Sequence, residues 1–349
     1  MKDGGGFVEI DGSEGEGGGQ ILRTALTLSM ITGKPLRMAN IRASRTKPGL
    51  QAQHLQCAHA SVKISGGKCE NAFKGATEID FIPGKVQSGS YDFAIGTAGS
   101  TSLLLQALLL PLALSGGGTL RLSGGTLNEW APVFDYLALQ YLPFLEKLGV
   151  KTKARLLQAG FYPRGGGQIE LVINPAQEIR PLTLTARGDL KGVFVVTVIG
   201  NLKLEIAQRM NRLALKLLGR AGVGATAEIQ PVTALSPGVC VIITADFENG
   251  RACYSALGRR GKPAEKVAAE AVDKLLAFLE TEAVVDEYLA DQLLLPLALS
   301  KSESHFITPK VTNHLLTNAA TIRKFIPVTI EIDGIHSLPG SVKIKGLTK

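Results

Sequence analysis

The chain has 349 residues, of which 45% are hydrophobic and 19% charged, so it can bury more than one core and disorder is not expected. Aromatic residues make up only 5%, which argues against recognition of single-stranded bases on an aromatic platform. The net charge of +8 indicates an anionic partner such as a nucleic acid, a nucleotide or another phosphorylated substrate, although a basic surface without such a partner explains the charge equally well.

The cysteines and the apolar segments indicate where the protein resides. The four cysteines show no CxxC spacing, so we interpret them as reduced thiols of a cytoplasmic protein. The start of the chain, MKDGGGFVEIDG, contains no apolar signal-peptide core. The longest apolar run, at 102–115, is interrupted by Gln106 and Pro111 and is too short to span a membrane. We therefore predict a cytoplasmic protein that has no membrane partner.

One pattern occurs three times along the chain, as QILRTALTLS at 20–29, QALLLPLALS at 106–115 and QLLLPLALS at 292–300. Each copy begins with a glutamine, ends in L-x-L-S and is apolar nearly all round, which predicts a buried helix. Pro111 and Pro296 are expected to kink these helices or to restart them. A short strand, a second helical stretch and closing strand-like segments follow each copy, so the chain contains three helix–strand–helix–strand units.

The segment between the second and third copies has a different pattern. It reads as a strand, a helix, three strands and a long helix, and it has apolar faces of its own. We predict an α/β (α+β) fold in which three repeated helix/sheet units form a large domain of residues 1–183 and 281–349. Residues 184–280 are predicted to form a small inserted α/β domain.

A glycine-rich loop, GSEGEGGGQ at 12–20, comes directly before the first copied helix. It matches neither the dinucleotide-binding G-x-G-x-x-G pattern nor a P-loop. Glycines that open a helix can present backbone N–H groups to an anion, and Glu16 within the loop would then need a divalent cation between its carboxylate and the phosphate oxygens. A tight turn without a ligand explains the glycines equally well, since PRGGGQIE at 163–170 repeats them with no obvious site.

Three arginines follow this loop, namely Arg23 on the first helix and Arg42 and Arg45 in IRASRTKPG. The planar guanidinium is suited to bidentate contacts with phosphate. A solvated charge cluster is the usual alternative, but Arg23 interrupts an otherwise apolar helix face. The three side chains are therefore candidates for a basic group near the glycine-rich loop.

His314 has the most informative position of the five histidines. It lies in VTNHLLTN at the start of a predicted helix, after Thr312 and Asn313 as candidate caps. A neutral imidazole is a competent nucleophile toward phosphorus when a partner orients its second ring nitrogen. Asp291, in DEYLADQ, is a candidate for that partner or for holding a metal-bound water. A structural histidine near a helix end and a carboxylate that complements a helix dipole remain the simpler interpretations of the spacing.

Taken together, these segments resemble the RNA 3′-terminal phosphate cyclase family. The resemblance extends over nearly the whole chain through the motifs DGSEGEGGGQILR, IRASRTKPGLQAQHL, GTAGST, GFYPRGGG, EYLADQLLLP and NHLLTN. The family has three repeated α/β units and a small inserted α/β domain, which agrees with the repeats found in this sequence.

The resemblance implies a reaction and a set of site residues. A histidine, matched here by His314, attacks the α-phosphate of ATP, AMP then passes to the 3′-phosphate of RNA, and the neighbouring 2′-hydroxyl closes a 2′,3′-cyclic phosphate. Glu16 matches the ligand of a divalent metal, Mg²⁺ or Mn²⁺. The positions that match contacts to the nucleotide phosphates and the RNA end are Arg23, Arg42, Arg45, Gln53 and His54. The positions that match the ATP site are Gln106, Tyr288, Leu289, Ala290, Asp291 and Gln292.

Two other functions are compatible with this fold. A non-catalytic RNA-processing factor of the same fold is disfavoured by the presence of His314, Glu16 and Arg23. An enolpyruvyl transferase also uses repeated α/β units, but it needs more of them than this chain contains. We therefore expect an enzyme that acts on ATP and on RNA with a 3′-phosphate, with a homodimer as one oligomeric state to consider.

Overall fold

The computed structural model describes residues 6–346, and the parts of the predicted large domain at residues 1–5 and 347–349 lie outside this range. The described chain is a mixed α/β protein with four four-stranded sheets, which confirms the predicted fold class. Three sheets belong to three similar units, and the fourth belongs to a segment inserted into the third unit. Within residues 6–346, no helix combines the length and the apolar character that crossing a lipid bilayer requires.

The first unit alternates strands and helices. Its elements are β1 (Val8–Asp11), α1 (Gly19–Thr32), β2 (Leu36–Ala39), α2 (Ala52–Ser65), β3 (Lys68–Glu70) and β4 (Ile79–Ile82). Gly33 and Gly66 end the two helices in the left-handed conformation, at φ 72° and 65°, where glycine has no steric penalty. The strand order in the sheet is β1-β2-β4-β3, with β1 parallel to β2 and the other pairs antiparallel.

The second unit has the same strand order. Its elements are β5 (Gly89–Ala94), α3 (Thr101–Leu114), β6 (Gly118–Gly124), α4 (Phe134–Tyr136), a π-helical turn (Leu137–Tyr141), α5 (Leu142–Lys147), β7 (Thr152–Gln158) and β8 (Gly167–Ile173). Ser100 caps α3, since its hydroxyl accepts a hydrogen bond from the N–H of Leu103. Along β8, exposed or half-buried residues alternate with buried ones, as expected for a strand with one face on the core.

The insert divides the third unit between its first strand and its first helix. The unit begins with β9 (Thr183–Leu184), and the insert follows as β10 (Leu190–Gly200), α6 (Leu204–Arg220), β11 (Thr226–Pro231), β12 (Gly238–Phe247), β13 (Arg251–Leu257) and α7 (Ala264–Leu279). The unit resumes with α8 (Glu287–Ala298), β14 (Ser304–Thr308), α9 (Asn313–Phe325), β15 (Thr329–Gly334) and β16 (Gly340–Lys345). Because β9 pairs with β14, the boundary predicted at residue 184 falls inside a strand of the third sheet.

Each unit begins with a strand that the sequence pattern did not identify. β1, β5 and β9 each pair in parallel with the next strand of their unit, so all three sheets share the order first–second–fourth–third. These strands have four, six and two residues, which is too short to show clear alternation. The repeated unit is therefore strand–helix–strand–helix–strand–strand rather than helix–strand–helix–strand.

The central strand β12 of the insert's sheet is buried on both faces. Val241 and Ile243 of β12 belong to a hydrophobic cluster with residues of α6 and α7. Cys240 and Ile242, on the opposite face of the same strand, belong to the larger cluster formed by the repeated units. This burial explains why the segment GVCVIITADF is apolar without alternation.

The three copied segments form α1, α3 and α8 at the centre of the larger cluster. α1 packs against α2, α3 and α9, and α8 packs against α9. α3 and α8 continue through Pro111 and Pro296, so neither helix restarts at its proline. This arrangement brings side chains near the starts of α1 and α9 into contact with α8.

Candidate active site

A cavity of about 820 Å³ lies where the three units and the insert meet. The first unit contributes the glycine-rich loop and α2, the second contributes α3 and the loop after β6, and the third contributes α8 and the start of α9. The insert adds side chains from β13 and α7. The predicted site residues that line this cavity are Glu16, Arg23, Arg42, Arg45, Gln53, His54, Gln106, Tyr288, Asp291, Gln292 and His314.

Two predicted residues do not reach the cavity. Leu289 and Ala290 have no exposed surface and lie in the hydrophobic core, because they occupy the inward face of α8. Their side chains therefore do not line the cavity, and their match to ATP-binding positions stays a prediction.

The glycines of the first loop permit close approach between site residues. A Cβ atom on Gly19 would lie 2.2 Å from Nε2 of His54, and one on Gly15 would lie 2.2 Å from Oγ1 of Thr317. Gly15 also has φ +56°, in the left-handed region. Glycine is therefore required at these two positions for steric reasons. In addition, no side chain caps the N-terminus of α1, which leaves its backbone N–H groups open to an anion.

The arginines of the first unit differ in how firmly they are held. Arg42 donates hydrogen bonds to the carbonyl oxygens of Lys47 and Gly49, at 2.7 and 2.8 Å. Arg45, whose side chain is 44% exposed, forms an ion pair with Oε1 of Glu16. Arg23 lines the cavity from α1. The three guanidinium groups thus line one part of the cavity, near the carboxylates of Glu16 and Asp291, and they supply positive charge for an anionic ligand.

His54 is a neutral side chain within this basic wall. Burial, together with the positive charges of Arg23 and Arg42, lowers the pKa of His54 to about 3. Its Nδ1 accepts a hydrogen bond from the backbone N–H of Gln51 at 3.4 Å, as the return bond of a capping box at the start of α2. His54 therefore acts as a fixed, uncharged group beside the arginines.

His314, at the start of α9, stands at the end of a chain of hydrogen bonds that links α9 to the copied helices α1 and α8. Nδ1 of His314 lies 2.7 Å from Oε1 of Gln20 on α1. Nε2 of Gln20 donates to Oδ1 of Asp291 on α8 at 2.6 Å, and Nδ2 of Asn318 donates to the same oxygen at 2.9 Å. The hydroxyl of Thr24 donates to Oδ1 of Asn318 at 2.8 Å.

These contacts determine which nitrogen of His314 carries a proton. Nδ2 of Asn318 also donates to the backbone carbonyl of Asp291 at 3.0 Å, and a carbonyl can only accept, so the orientation of the Asn318 amide is set. The carboxylate of Asp291 then accepts from the Gln20 amide nitrogen, which turns the Gln20 carbonyl toward His314. Nδ1 must therefore be protonated, and Nε2 is the ring nitrogen available as a nucleophile.

Glu16 lies on the other side of the imidazole. Its Oε2 is 2.8 Å from Nε2 of His314, in an ion-pair contact whose alignment is not that of a hydrogen bond. Burial alone would lower the pKa of His314, but the contact with Glu16 and the charges of Asp291 and Glu16 outweigh it, so this pKa is raised. Burial would raise the pKa of Glu16, but His314 and Arg45 outweigh it, so that pKa is lowered.

Two of the copied glutamines present unpaired amide atoms at the cavity. Nε2 of Gln106 and Oε1 of Gln292 are buried, and neither has a hydrogen-bond partner within residues 6–346. Buried polar atoms are nearly always paired, so both atoms indicate a ligand with complementary polar groups. Tyr288, which is 45% exposed, makes edge-to-face contacts with the rings of Tyr136 and Tyr254 and presents a third contact surface to the same space.

Asp286 holds this aromatic group in place. It caps α8, and its Oδ1 accepts from the hydroxyl of Tyr136 at 2.9 Å. Its Oδ2 accepts from Nε2 of Gln140 at 2.8 Å and from the backbone N–H of Cys253 in β13 at 3.3 Å. One buried carboxyl group therefore ties the second unit, the third unit and the insert together behind Tyr288.

A family model described as RNA 3′-terminal phosphate cyclase matches residues 14–332. The chain belongs to the RNA 3′-terminal phosphate cyclase family. A protein of that name from Gloeothece citriformis is 43% identical over 337 residues, which cover 94% of this chain and 96% of the relative. Another of that name, from Methanopyrus kandleri, is 40% identical over 97% of this chain and 99% of the relative. The resemblance seen in the motifs is thereby confirmed.

A solved structure of another kind matches only weakly. The enolpyruvyl transferase NikO from Streptomyces tendae aligns at 12% identity and a TM-score of 0.25, over 98% of this chain and 66% of that chain. A score this low carries no argument about the fold or the function of this cyclase-family member.

The family resemblance also implies a divalent metal. Within the described residues no three histidine, cysteine or carboxylate side chains form a metal-binding cluster. Mg²⁺ is commonly held by one or two carboxylates together with substrate phosphates, so a complete protein cage is not required. Glu16 lines the cavity and could supply one such carboxylate, with the metal replacing the contact between its Oε2 and Nε2 of His314.

Sequence reasoning missed three residues of the hydrogen-bond chain. Gln20 was recognised as one of the copied glutamines, but its contact with His314 depends on the packing of α1 against α9. Asn318 lies four residues after His314 on the same helix face, and this spacing was a usable signal. Thr24 lies four residues after Gln20 on α1 and could have been found in the same way.

Proposed function

We propose that this chain converts an RNA 3′-phosphate to a 2′,3′-cyclic phosphate at the expense of ATP, through a covalent histidine–AMP intermediate on His314. Membership of the RNA 3′-terminal phosphate cyclase family supports the overall reaction. The hydrogen bonds from Asp291 through Gln20 to His314 support the covalent step, because they hold a proton on Nδ1 and make Nε2, which faces Glu16 in the resting protein, the nitrogen that can attack. That observation carries the proposal.

In the first step, Nε2 of His314 forms a bond to the α-phosphorus of ATP while the bond from that phosphorus to the pyrophosphate oxygen breaks. Pyrophosphate leaves, and the positive charge that develops on the ring is stabilised by the Nδ1 hydrogen bond to Gln20. In the resting protein the raised pKa of His314 favours a proton on Nε2, and this proton must leave before attack. Glu16 Oε2, 2.8 Å away, is the nearest acceptor for that proton.

In the second step, an oxygen of the RNA 3′-phosphate attacks the phosphorus of the bound AMP, and the bond to Nε2 breaks. The product is an RNA–adenylate with a phosphoanhydride bond, and His314 returns to its neutral form. In the third step, the 2′-oxygen attacks the 3′-phosphorus, AMP leaves, and the 2′-hydroxyl proton is released. Activation by AMP is needed because an unmodified phosphate has no good leaving group, and the need for a 2′-hydroxyl selects RNA over DNA.

The walls of the cavity suit these two substrates. Arg23, Arg42 and Arg45 supply positive charge for the phosphates, as phosphoryl transfer depends mainly on positioning and charge stabilisation. The unpaired nitrogen of Gln106 and the unpaired oxygen of Gln292 match the acceptor and donor edges of adenine. Tyr288 offers a ring surface for the base. Glu16 would hold a divalent metal, which when bound neutralises phosphate charge.

Labelling with α-³²P-ATP in the absence of RNA tests the covalent step. Wild-type protein with Mg²⁺ or Mn²⁺ should acquire acid-labile, protein-bound label, and His314→Ala should acquire none. Folded wild-type protein that acquires no label with either metal would refute the intermediate. His314→Asn is the second variant. It keeps a polar side chain at the start of α9, so it should fold like the wild type and still acquire no label.

A chase with defined RNA ends tests the later steps. RNA with a 3′-phosphate should remove the label from the protein and yield AMP and a cyclic end. The same RNA with a 2′-deoxy terminal nucleotide should also remove the label, but it should accumulate as the RNA–adenylate because the attacking hydroxyl is missing. Cyclic product without prior transfer of label would contradict the proposed order of steps.

A further inference from the structure

We propose that Trp130 and Asn128 form a subsite for the 3′-terminal nucleoside of the RNA, with its base stacked on the indole ring. The inference rests on the proposed function, because it assigns a place in the same cavity to the second substrate. Three observations carry it, namely the exposure of Trp130, its backbone conformation and an unpaired oxygen on Asn128.

Trp130 is the single tryptophan of the chain, and it is 98% exposed although it lines the cavity. A large aromatic side chain gains no hydrophobic stabilisation when it stays in water. Exposed aromatic rings beside a phosphate-binding wall are a common means of holding an unpaired RNA base. One indole can stack on one base, which suits a reaction that involves only the last nucleotide and agrees with the low aromatic content.

The backbone of Trp130 is also unusual, with φ 63° in the left-handed region. Six non-glycine residues in the described range have positive φ, and three of them are asparagines, which tolerate this conformation. The other three are Arg42, Trp130 and Ser337, of which Arg42 and Trp130 line the cavity. Bulky residues kept in a strained conformation are concentrated at ligand-binding sites, where the conformation positions the side chain.

Asn128 presents an unpaired acceptor two residues before Trp130. Its amide nitrogen donates to the carbonyl oxygen of Ala98, which sets the orientation of the amide. Its Oδ1 is buried and has no hydrogen-bond partner among residues 6–346. A hydroxyl or amino group of the terminal nucleoside is a donor of the kind this oxygen lacks.

The loop that carries these residues is joined to the wall proposed to bind the 3′-phosphate. Ala98, the partner of Asn128, is two residues from Ser100, whose N–H donates to Oε1 of Gln53 at 3.0 Å. Gln53 precedes His54 at the start of α2. The adenosine surface at Tyr288 is built separately, on α8. The cavity therefore offers one exposed aromatic surface for each of the two nucleosides in the reaction.

Intrinsic fluorescence tests the subsite directly, because all tryptophan emission comes from Trp130. The His314→Ala chain, which allows no transfer of AMP, is titrated with a short 3′-phosphorylated RNA, with the same RNA carrying an abasic terminal nucleotide, and with AMP. Saturable quenching by the RNA, weaker quenching by the abasic RNA and no response to AMP are expected. The assignment would be overturned if AMP changed the emission, if the RNA did not, or if both RNAs quenched it equally.

Kinetics with the active chain give a second readout. Trp130→Ala should raise the KM for 3′-phosphorylated RNA about tenfold, and Trp130→Phe should restore most of the affinity, since stacking on an aromatic ring is typically worth such a factor. Phe73→Ala is the matched control, because Phe73 is 61% exposed and does not line the cavity. An unchanged KM for RNA in Trp130→Ala, or a rise in the ATP concentration needed for half-maximal labelling, would overturn the proposal.

Failure of this inference can be distinguished from failure of the proposed function. Wild-type protein that neither acquires label from ATP nor cyclises RNA would refute the proposed function. The fluorescence titration requires only that RNA binds, so its outcome supports or refutes the subsite independently of catalysis.

Discussion

Gln20 and Gln292 occupy equivalent places in the copied pattern of the first and third units, yet their surroundings are opposite. Both amide atoms of Gln20 are paired, one with His314 and one with Asp291. Oε1 of Gln292 is buried without a partner within the described residues, as is Nε2 of Gln106 in the second unit. Repetition of one unit thus produced three polar positions at a shared cavity, of which one is paired with His314 and Asp291 and two have unpaired amide atoms.

Gln20→Leu tests the orienting role and should have the largest effect. It removes the acceptor of the Nδ1 proton and leaves Asp291 with one donor fewer. Loss of the correct tautomer in comparable histidine sites costs several orders of magnitude, so we expect the rate of His314 labelling to fall by about 100-fold or more, roughly 2.7 kcal/mol. Single-turnover labelling with α-³²P-ATP measures it.

Gln56→Leu is the matched control for that experiment, since Gln56 lies on α2 and does not line the cavity. It should label at the wild-type rate. If Gln20→Leu also labels at that rate, the hydrogen bond does not set the reactive state of His314.

His54→Gln tests whether the buried, uncharged side chain of His54 makes the stability of the protein depend on pH. The pKa of His54 is about 3 in the folded protein, which is below the value of an exposed histidine, so the unfolded chain alone takes up this proton as the pH falls below about 6.5. Stability from this group is therefore present above pH 6.5 and is lost at lower pH. Between pH 6.5 and 5.0 the wild type should lose about 1.6 kcal/mol more unfolding free energy than the variant.

Urea denaturation at several pH values measures this difference. Glutamine can keep the capping-box contact at the start of α2, so the variant should fold. His59→Gln, at an exposed position of the same helix, is the control and should follow the wild type. Parallel pH profiles for the wild type and His54→Gln would contradict the neutral, buried state of His54.

Gln292→Leu tests whether the unpaired oxygen of Gln292 contacts ATP. It removes the buried oxygen proposed to accept from adenine, so the ATP concentration for half-maximal labelling should rise about tenfold, roughly 1.4 kcal/mol, while the maximal rate changes little. The same assay with GTP in place of ATP should show weaker discrimination in the variant. A lower maximal rate with unchanged ATP dependence would assign Gln292 to the chemical step instead.

The double variant Gln106→Leu/Gln292→Leu tests whether the two glutamines contact the same base, and its expected departure from additivity in ATP affinity is the smallest effect. If both amides contact the same base, loss of one weakens the other contact, and the double variant should lose about 0.5–1 kcal/mol less ATP affinity than the sum of the single variants. The pair Gln56→Leu and Gln292→Leu should be additive. Additivity of the Gln106 pair would show that the two glutamines face different ligands.

The repeated helices and the family motifs were accessible from the sequence because they depend on local composition. Buried helices of leucine and alanine and the apolar strand GVCVIITADF are recognisable in short windows. The first strands of the units were not, since β9 has two residues and its partner β14 lies more than a hundred residues away. A strand of this length exists only through its pairing, which local sequence does not contain.

For the candidate site, too, the sequence indicated some features and only the structure revealed others. Motifs identified His314, Glu16 and the arginines as candidates, and the cavity brings them together. They did not indicate that Gln20 rather than Asp291 would contact the imidazole, nor that Asp286 would join the insert to α8. Both facts depend on contacts across large separations in the chain.

The amino-acid sequence by itself determined the fold class, the family and the three copied helices, because hydrophobic pattern and motif order are local properties of the chain. Only the tertiary structure decided what each copied glutamine does. Packing of α1 and of α8 against α9 surrounds Gln20 with a histidine and a carboxylate, whereas Gln106 and Gln292 line a cavity with unpaired amide atoms. Identical residues in equivalent helices acquire different chemistry because hydrogen-bond partners are set by neighbours in space.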